Sequence, residues 1–208
     1  MKAPTERTRL RRLRAKAAYD AATIHAILDA QPLAHIGHLI EGAPAVTPTL
    51  QWREGERVYW HGSSASRMIR AAAGQPVCLT VTRLDGLVLA RSGLEHSVNF
   101  RSVMVFGIAE AVTDPAAKAR HLEVMVDQMF PDRWRQLRPM TRQELKATAV
   151  LSLPISEASA KVGAGMPTDL PEDSDWPVWA GIVPLSQTLG KAVPDGVPQG
   201  PAPVVRRF

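Results

Sequence analysis

Val58–Arg70 reads VYWHGSSASRMIR. Val58, Tyr59 and Trp60 are strand-favouring residues. His61-Gly62-Ser63-Ser64 breaks the run with turn chemistry. Ser64 or Ser66 then caps a helix continued by Met68, Ile69, Ala71 and Ala72. A strand, a small-residue turn and a helix start bring amides, hydroxyls and the Arg67 guanidinium to one spot. Such a spot attracts phosphate, which arginine grips with a planar fork. The same stretch is also how an ordinary strand-to-helix turn with a solvated arginine looks, so the flanking chain decides between the two.

Upstream, Asp20 is placed to cap a helix over residues 21–30, where Ile24, Ile27 and Leu28 share one face. Gln31-Pro32 stops it. LAHIGHLI (33–40) and AVTPTLQW (45–52) flank the turn Glu41-Gly42-Ala43-Pro44 and form a hairpin. Pro48 inside the second run predicts a bulge or an edge, either of which frees backbone groups for a ligand. Downstream, VCLTVTR (77–83) is a buried strand, Leu84-Asp85-Gly86 a tight turn, and LVLAR (87–91) a strand that pairs back. Phe100–Val112 is the longest strand, with a bulge expected at Gly107. Asp114-Pro115 starts a helix with the stripe Leu122, Met125, Val126 and Met129. Thr141 and Glu144 make a capping box, and Ala147–Ile155 is a further strand. Residues 163–175 form a surface loop, and 176–185 return to the body. These elements predict six or seven strands, mostly joined by hairpins: an antiparallel barrel or tightly curled sheet with peripheral helices.

Composition bounds what such a body does. With 208 residues the chain holds one domain plus extensions: a basic leader over 1–18, the body over 19–185 and a Pro/Gly-rich tail over 186–208. The net charge of +5 is concentrated in residues 1–16, which carry seven Lys or Arg against Glu6 and leave 18 basic and 19 acidic side chains for the rest. The leader reads as a solvated arm without interleaved aromatics, which argues against a nucleic-acid surface. No apolar run reaches the length of a membrane span, and no h-region follows the basic start. A single cysteine, Cys78, excludes an internal disulfide and points to a reducing cytoplasm.

Catalytic constellations are absent from the pattern. His35 and His38 are three apart in a strand and point to opposite faces, so no metal site is expected. There is neither a GxSxG elbow nor a GxGxxG or GxxxxGK phosphate loop. What recurs is small polar residues within strands: Thr47, Thr49, Ser63 to Arg67, Thr80, Thr82 and Asn99 to Ser102. Hydroxyls and amides on strand edges suit the rim of a flat heteroaromatic ligand.

The ordered series YD (19–20), AVTPTLQW (45–52), VYWHGSSASR (58–67), VCLTVTRLDGLVLARS (77–92), HSVNFRSV (96–103) and WAGIVPL (179–185) resembles the pyridoxamine 5′-phosphate oxidase-like family. Its flavin-nucleotide-binding, nitroimidazole-resistance-type branch is the most similar. The resemblance implies a split β-barrel that dimerises and binds FMN in a groove at the interface. By position, His61, Gly62, Ser66 and Arg67 match the phosphate-holding segment. Val46, Thr47, Pro48 and Thr49 match the strand along the flavin ring and ribityl chain. Thr80, Asn99, Phe100, Arg101 and Ser102 match strands lining the groove, and Trp179 an aromatic offered across the dimer. Met68 stands where relatives place a second basic residue, which weakens the expected phosphate grip. Val162-Gly163 replaces an arginine that relatives carry after the lysine matching Lys161. Basic residues for a vitamin B6 phosphate are not found.

The resemblance thus implies a flavin-dependent oxidoreductase acting on a small aromatic, nitro-aromatic or quinone-like substrate. In such an enzyme the flavin carries the chemistry and needs no side-chain acid or base. A deazaflavin in place of FMN fits the same groove. A haem-binding or haem-degrading relative would need an axial His61 or His96. A non-catalytic flavin carrier, or a regulator using the basic arm, is the third reading.

Overall fold

The computed structural model describes residues 4–197, 200 and 202–206. Residues 1–3 of the expected leader, and 198–199, 201 and 207–208 of the expected tail, lie outside the described residues. Among the described residues, ten strands form one antiparallel sheet: β1 (Ala17–Ala18), β2 (Leu33–Ile40), β3 (Ala43–Glu54), β4 (Arg57–Ser63), β5 (Pro76–Leu89), β6 (Ser97–Ile108), β7 (Glu110–Ala111), β8 (Thr148–Pro154), β9 (Ala158–Gly163) and β10 (Gly181–Pro184). Their order is β1-β9-β6-β5-β2-β3-β4-β8-β7, with β10 on β5. The sheet curls without closing, as a split barrel does. β6 runs through Ala109 directly into β7, so one stretch of chain serves both ends of the sheet. Alternation along the strands turns Ile36, Leu79, Val81, Val103, Val105, Leu151 and Leu153 inward with Trp60, all fully buried.

Among the described residues, four α-helices cover the sheet: α1 (Ala21–Asp29), α2 (Arg67–Ala72), α3 (Pro115–Met129) and α4 (Arg142–Ala147). Their starts are written locally. Asp20 accepts from Thr23 N, Asp114 accepts from Ala117 N with proline in the first turn, and Thr141 with Glu144 closes the capping box. α3 lays Leu122 on a second apolar cluster with Trp52, Tyr59 and Val150, and Met125 packs beside it. No helix among the described residues is long and apolar enough to cross a membrane.

Several expectations need correction. The first hairpin turns on two residues, Glu41 (φ 51°) and Gly42 (φ 79°), because pairing closes at Ile40 with Ala43. Two positive φ angles match the twist of the flanking strands. Leu84-Asp85-Gly86 is not a turn. β5 runs straight through it as a bulge and pairs β6 over its whole length. Asp85 is held there by Arg101, and Gly86 lies under β10, where a Cβ would come 3.1 Å from Val183 O. Gly107 is not a bulge but a regular partner of Val77. A Cβ at Gly107 would sit 2.9 Å from Leu153 Cδ1, so close packing explains the glycine. The count exceeds six or seven because β1 and β7 are two-residue pairs and β9 lies in an unassigned stretch. The sequence of β9, ASAKVG, carries little β-branched or aromatic signal.

The leader, expected as a loose arm, docks on the body. Thr8 is 2% exposed, Thr5 Oγ1 and Arg7 donate to the Glu157 carboxylate, and Ala17 pairs with Lys161. Its charge is therefore partly spent in an ion pair. The tail also returns, with Arg206 N donating to Met129 O at 2.9 Å.

Candidate cofactor-binding site

The sheet splits along β3. Residues 43–50 pair with β2, but only 51–54 pair with β4, so the outer edge of 43–50 carries no strand. Gln51 N donates to Pro32 O on the β2 side. By alternation Pro48 stands at an outward position, where its missing N–H breaks no ladder bond. The edge expected from Pro48 is thus present, and its backbone is free.

Across the split lie the end of β4 and the short helix α2. Met68, Ile69 and Ala72 anchor α2 in the core. Gly62 makes room for it, since a Cβ would meet Ile69 Cγ1 at 3.1 Å. The amides of the Ser63–Ser66 turn are largely spent: Ser64 N bonds Ala147 O, Ser66 N bonds Ser63 O, and Ala65 N bonds Ser63 Oγ. Ser66 is the N-cap residue but makes no side-chain cap bond. Its hydroxyl and the exposed guanidinium of Arg67 have no partner among the described residues. The neighbouring Arg70 is engaged with Ser64 O. Arg67 is thus a free cation at this side of the split among the described residues.

The other expected residues fall on two faces. Register places Pro48, His35, Thr80 and Met104 in one cross-strand row on the outer face, with Ser102 one row away opposite Thr82. Val46, 67% exposed, shares that face. Thr47 and Thr49 lie opposite the buried Ile36 and Ala34, at the mouth of the split, and are half-buried. Thr80 Oγ1 donates to Val103 O. His61 is set apart. Its ring lies 6.1 Å from Trp52, Nδ1 is buried without a partner, and burial pushes its pKa below the ordinary value, so the imidazole is neutral at pH 7. Asn99 to Ser102 are engaged within the chain: Asn99 Nδ2 donates to Gly165 O, the Phe100 ring lies 5.8 Å from Lys161 Nζ, Arg101 is paired with Asp85, and Ser102 Oγ reaches Lys161 O at 3.5 Å. Trp179 is 62% exposed and packs over Gly181.

His35, excluded above as half of a metal pair with His38, is not among the expected site residues. Its half-buried imidazole has no hydrogen bond among the described residues and stands between Pro48 and Thr80. Strand alternation was the available signal, since it separates His35 from His38. No group of three or more His, Cys, Asp or Glu side chains suited to a metal ion occurs among the described residues.

The family model described as pyridoxamine 5′-phosphate oxidase matches residues 20–162. The chain belongs to this family. A solved flavocytochrome, Anf3 from Azotobacter vinelandii, is 50% identical, with 98% of this chain and 96% of that one covered and a TM-score of 0.93. A FAD and haem binding protein from Mycobacterium smegmatis is 36% identical over 89% of this chain and 94% of its own, with a TM-score of 0.80. A candidate 5-nitroimidazole antibiotic resistance protein from Bacteroides thetaiotaomicron shares the fold at 21% identity, over 70% of this chain and 86% of its own, with a TM-score of 0.59. The search of curated proteins returned no match. The fold is the flavin-binding split barrel of the family.

Proposed function

We propose that this chain is a flavin-dependent redox protein that also takes a haem. The observation that carries the reading is its similarity, over nearly its whole length, to two solved proteins described as a flavocytochrome and as FAD- and haem-binding. The residues at the split fit a flavin nucleotide. Arg67 offers a free guanidinium for phosphate, Ser66 a free hydroxyl, and the unpaired edge of β3 its backbone groups. A bound flavin supplies hydride and single-electron transfer. Val46, Pro48 and Thr80 would line the groove, and the side chains supply position and exclusion of water. The substrate class is a small aromatic, nitro-aromatic or quinone-like acceptor.

The outer face also exposes Leu39, Val46, Met104 and Ile108, with Trp179 on the loop before β10. A second copy of the chain covering this face would bury them and complete the groove. For haem, an apolar face with a free neutral imidazole is the requirement. His35 stands on that face without a hydrogen bond, and His61 keeps a buried free nitrogen. His96 is exposed, with Nδ1 at 2.9 Å from Ser92 O. With Cys78 as its one cysteine the chain needs no internal disulfide, which fits a reducing, cytoplasmic setting.

The test is the ultraviolet–visible spectrum of the purified protein with chromatography of the released flavin. A flavin spectrum with a Soret band supports the reading. Replacing His35, His61 and His96 singly should abolish the Soret band in the variant that loses the axial ligand. FMN without any Soret band would leave the simpler FMN oxidoreductase. A protein that binds neither would end the redox reading.

A further inference from the structure

A cavity shares no lining residue with the split and lies where the leader crosses the N-terminal end of α1 and the β8–β9 turn. Its volume is about 220 Å³. Its lining combines the apolar Ile24, Ile155 and Tyr19 ring with His25, Glu56 and Glu157. Thr5 and Thr8 form its roof. That roof is fastened: Thr5 Oγ1 donates to Glu157 Oε1 at 2.5 Å, Arg7 Nε to the same oxygen at 3.1 Å, and Leu10 N to the Tyr19 hydroxyl at 3.0 Å. The Arg7 guanidinium also lies 5.6 Å from the Phe106 ring centre.

His25 Nε2 is buried and makes no hydrogen bond, although Glu56 Oε1 is only 3.3 Å away and misaligned. A buried imidazole nitrogen without a partner is costly, and native interiors fill such a need with water or ligand. The space exceeds what one water occupies; a dry cavity of about 150 Å³ takes a benzene-sized guest. Arg7 neutralises Glu157, which leaves Glu56, 74% exposed at the mouth and with the His25 imidazole rather than a Lys or Arg beside it, as the lining carboxylate open to an ammonium group.

We propose that this cavity is a second ligand site, for a small primary amine with an apolar body of roughly eight heavy atoms. The ammonium group bonds Glu56, the body lies on Ile24 and Ile155, and the docked leader closes over it. The site is independent of flavin and haem.

The probe is benzylamine, titrated into the full chain by calorimetry and by amide shifts of residues 21–25 and 156–158, with benzyl alcohol as the uncharged control. Saturable binding of benzylamine at least tenfold tighter than of benzyl alcohol is expected. Glu56→Gln should remove that preference, and Ala21→Phe, which fills the cavity from the exposed start of α1, should abolish binding while the far-ultraviolet circular dichroism stays that of the parent. Absence of binding, equal affinity for the two probes, or binding untouched by either substitution overturns the proposal. The flavin and Soret spectra of the same samples are read separately, so failure here leaves the redox reading standing.

Discussion

The Arg101 guanidinium grips the Asp85 carboxylate through two hydrogen bonds, Nε to Oδ2 at 2.8 Å and Nη2 to Oδ1 at 2.7 Å, from β6 to the bulge of β5. Arg83 adds its charge at 3.7 Å. The pair pins the one register shift of the longest ladder in the sheet. Both side chains are partly exposed, so the net worth of the pair is about 1 kcal/mol. Asp85→Asn should therefore lower Tm by about 2–4 °C. Arg101→Lys should not restore the parent, because an ammonium group cannot make the planar double contact.

The same pair has a pH signature. The hydrogen bonds from Arg101 first, then the charges of Arg101 and Arg83, hold the Asp85 carboxyl below its ordinary value against the effect of partial burial. A lowered folded pKa stabilises fully above the unfolded value, about 3.9, and the contribution is lost as pH falls through the lower folded value. Urea midpoints of the parent and Asp85→Asn should differ by a constant amount at neutral pH and converge in acid. A gap that keeps its full neutral-pH size as the pH falls well below the unfolded value would show that the carboxylate charge is not the cause.

Gly107 has room for nothing larger. Leu153, against which a Cβ would press at 2.9 Å, is fully buried between the sheet and its core neighbours. Gly107→Ala should cost about 1–3 kcal/mol by overpacking. Leu153→Val in the same chain should recover part of that loss, and the interaction energy of the double-mutant cycle, read by urea unfolding, measures the contact. Strict additivity would refute the packing account.

Arg67→Ala should weaken flavin binding by about 1.5–3 kcal/mol, the loss of a hydrogen bond to a charged group. That is roughly 10–100-fold in Kd, read by flavin fluorescence quenching. Arg70→Ala is the control, because Arg70 is already engaged with Ser64 O. Equal losses in the two variants would remove Arg67 from the phosphate site.

Glu144 accepts from Arg138, Thr141 Oγ1 and Thr141 N, and its carboxyl is pulled down to about 2, first by Arg138 and then by Thr141. The cap of α4 should thus survive acid that protonates ordinary carboxylates and open only as pH falls through about 2. An NMR titration of the Glu144 side chain gives the midpoint directly. Arg138→Ala should raise it toward the ordinary range.

The sequence by itself determined what rests on neighbours in the chain. The caps at Asp20, Asp114 and Thr141 bond amides three residues on and are legible within a short window, which also marked a turn at Glu41-Gly42 but not its two-residue length. The run from Val77 to Arg83 marked a buried strand, and Pro48 marked β3 for a bulge or an edge. The motif order placed the chain in its family and its flavin-binding fold.

Only the tertiary structure decided the rest. Whether Leu84-Asp85-Gly86 turns or bulges depends on Arg101, sixteen residues away in sequence and opposite in the sheet. Gly107 answers to Leu153, and β9 forms because β6 and β1 offer it edges, not because ASAKVG favours extension. The leader docks through Glu157, 150 residues from Arg7, and a run of arginines carries no sign of such a partner. At the site, the free Arg67 and the engaged Arg70 and Arg101 are chemically alike as sequence. Which guanidinium is left for a ligand follows from the acceptors that long-range folding brings beside the other two.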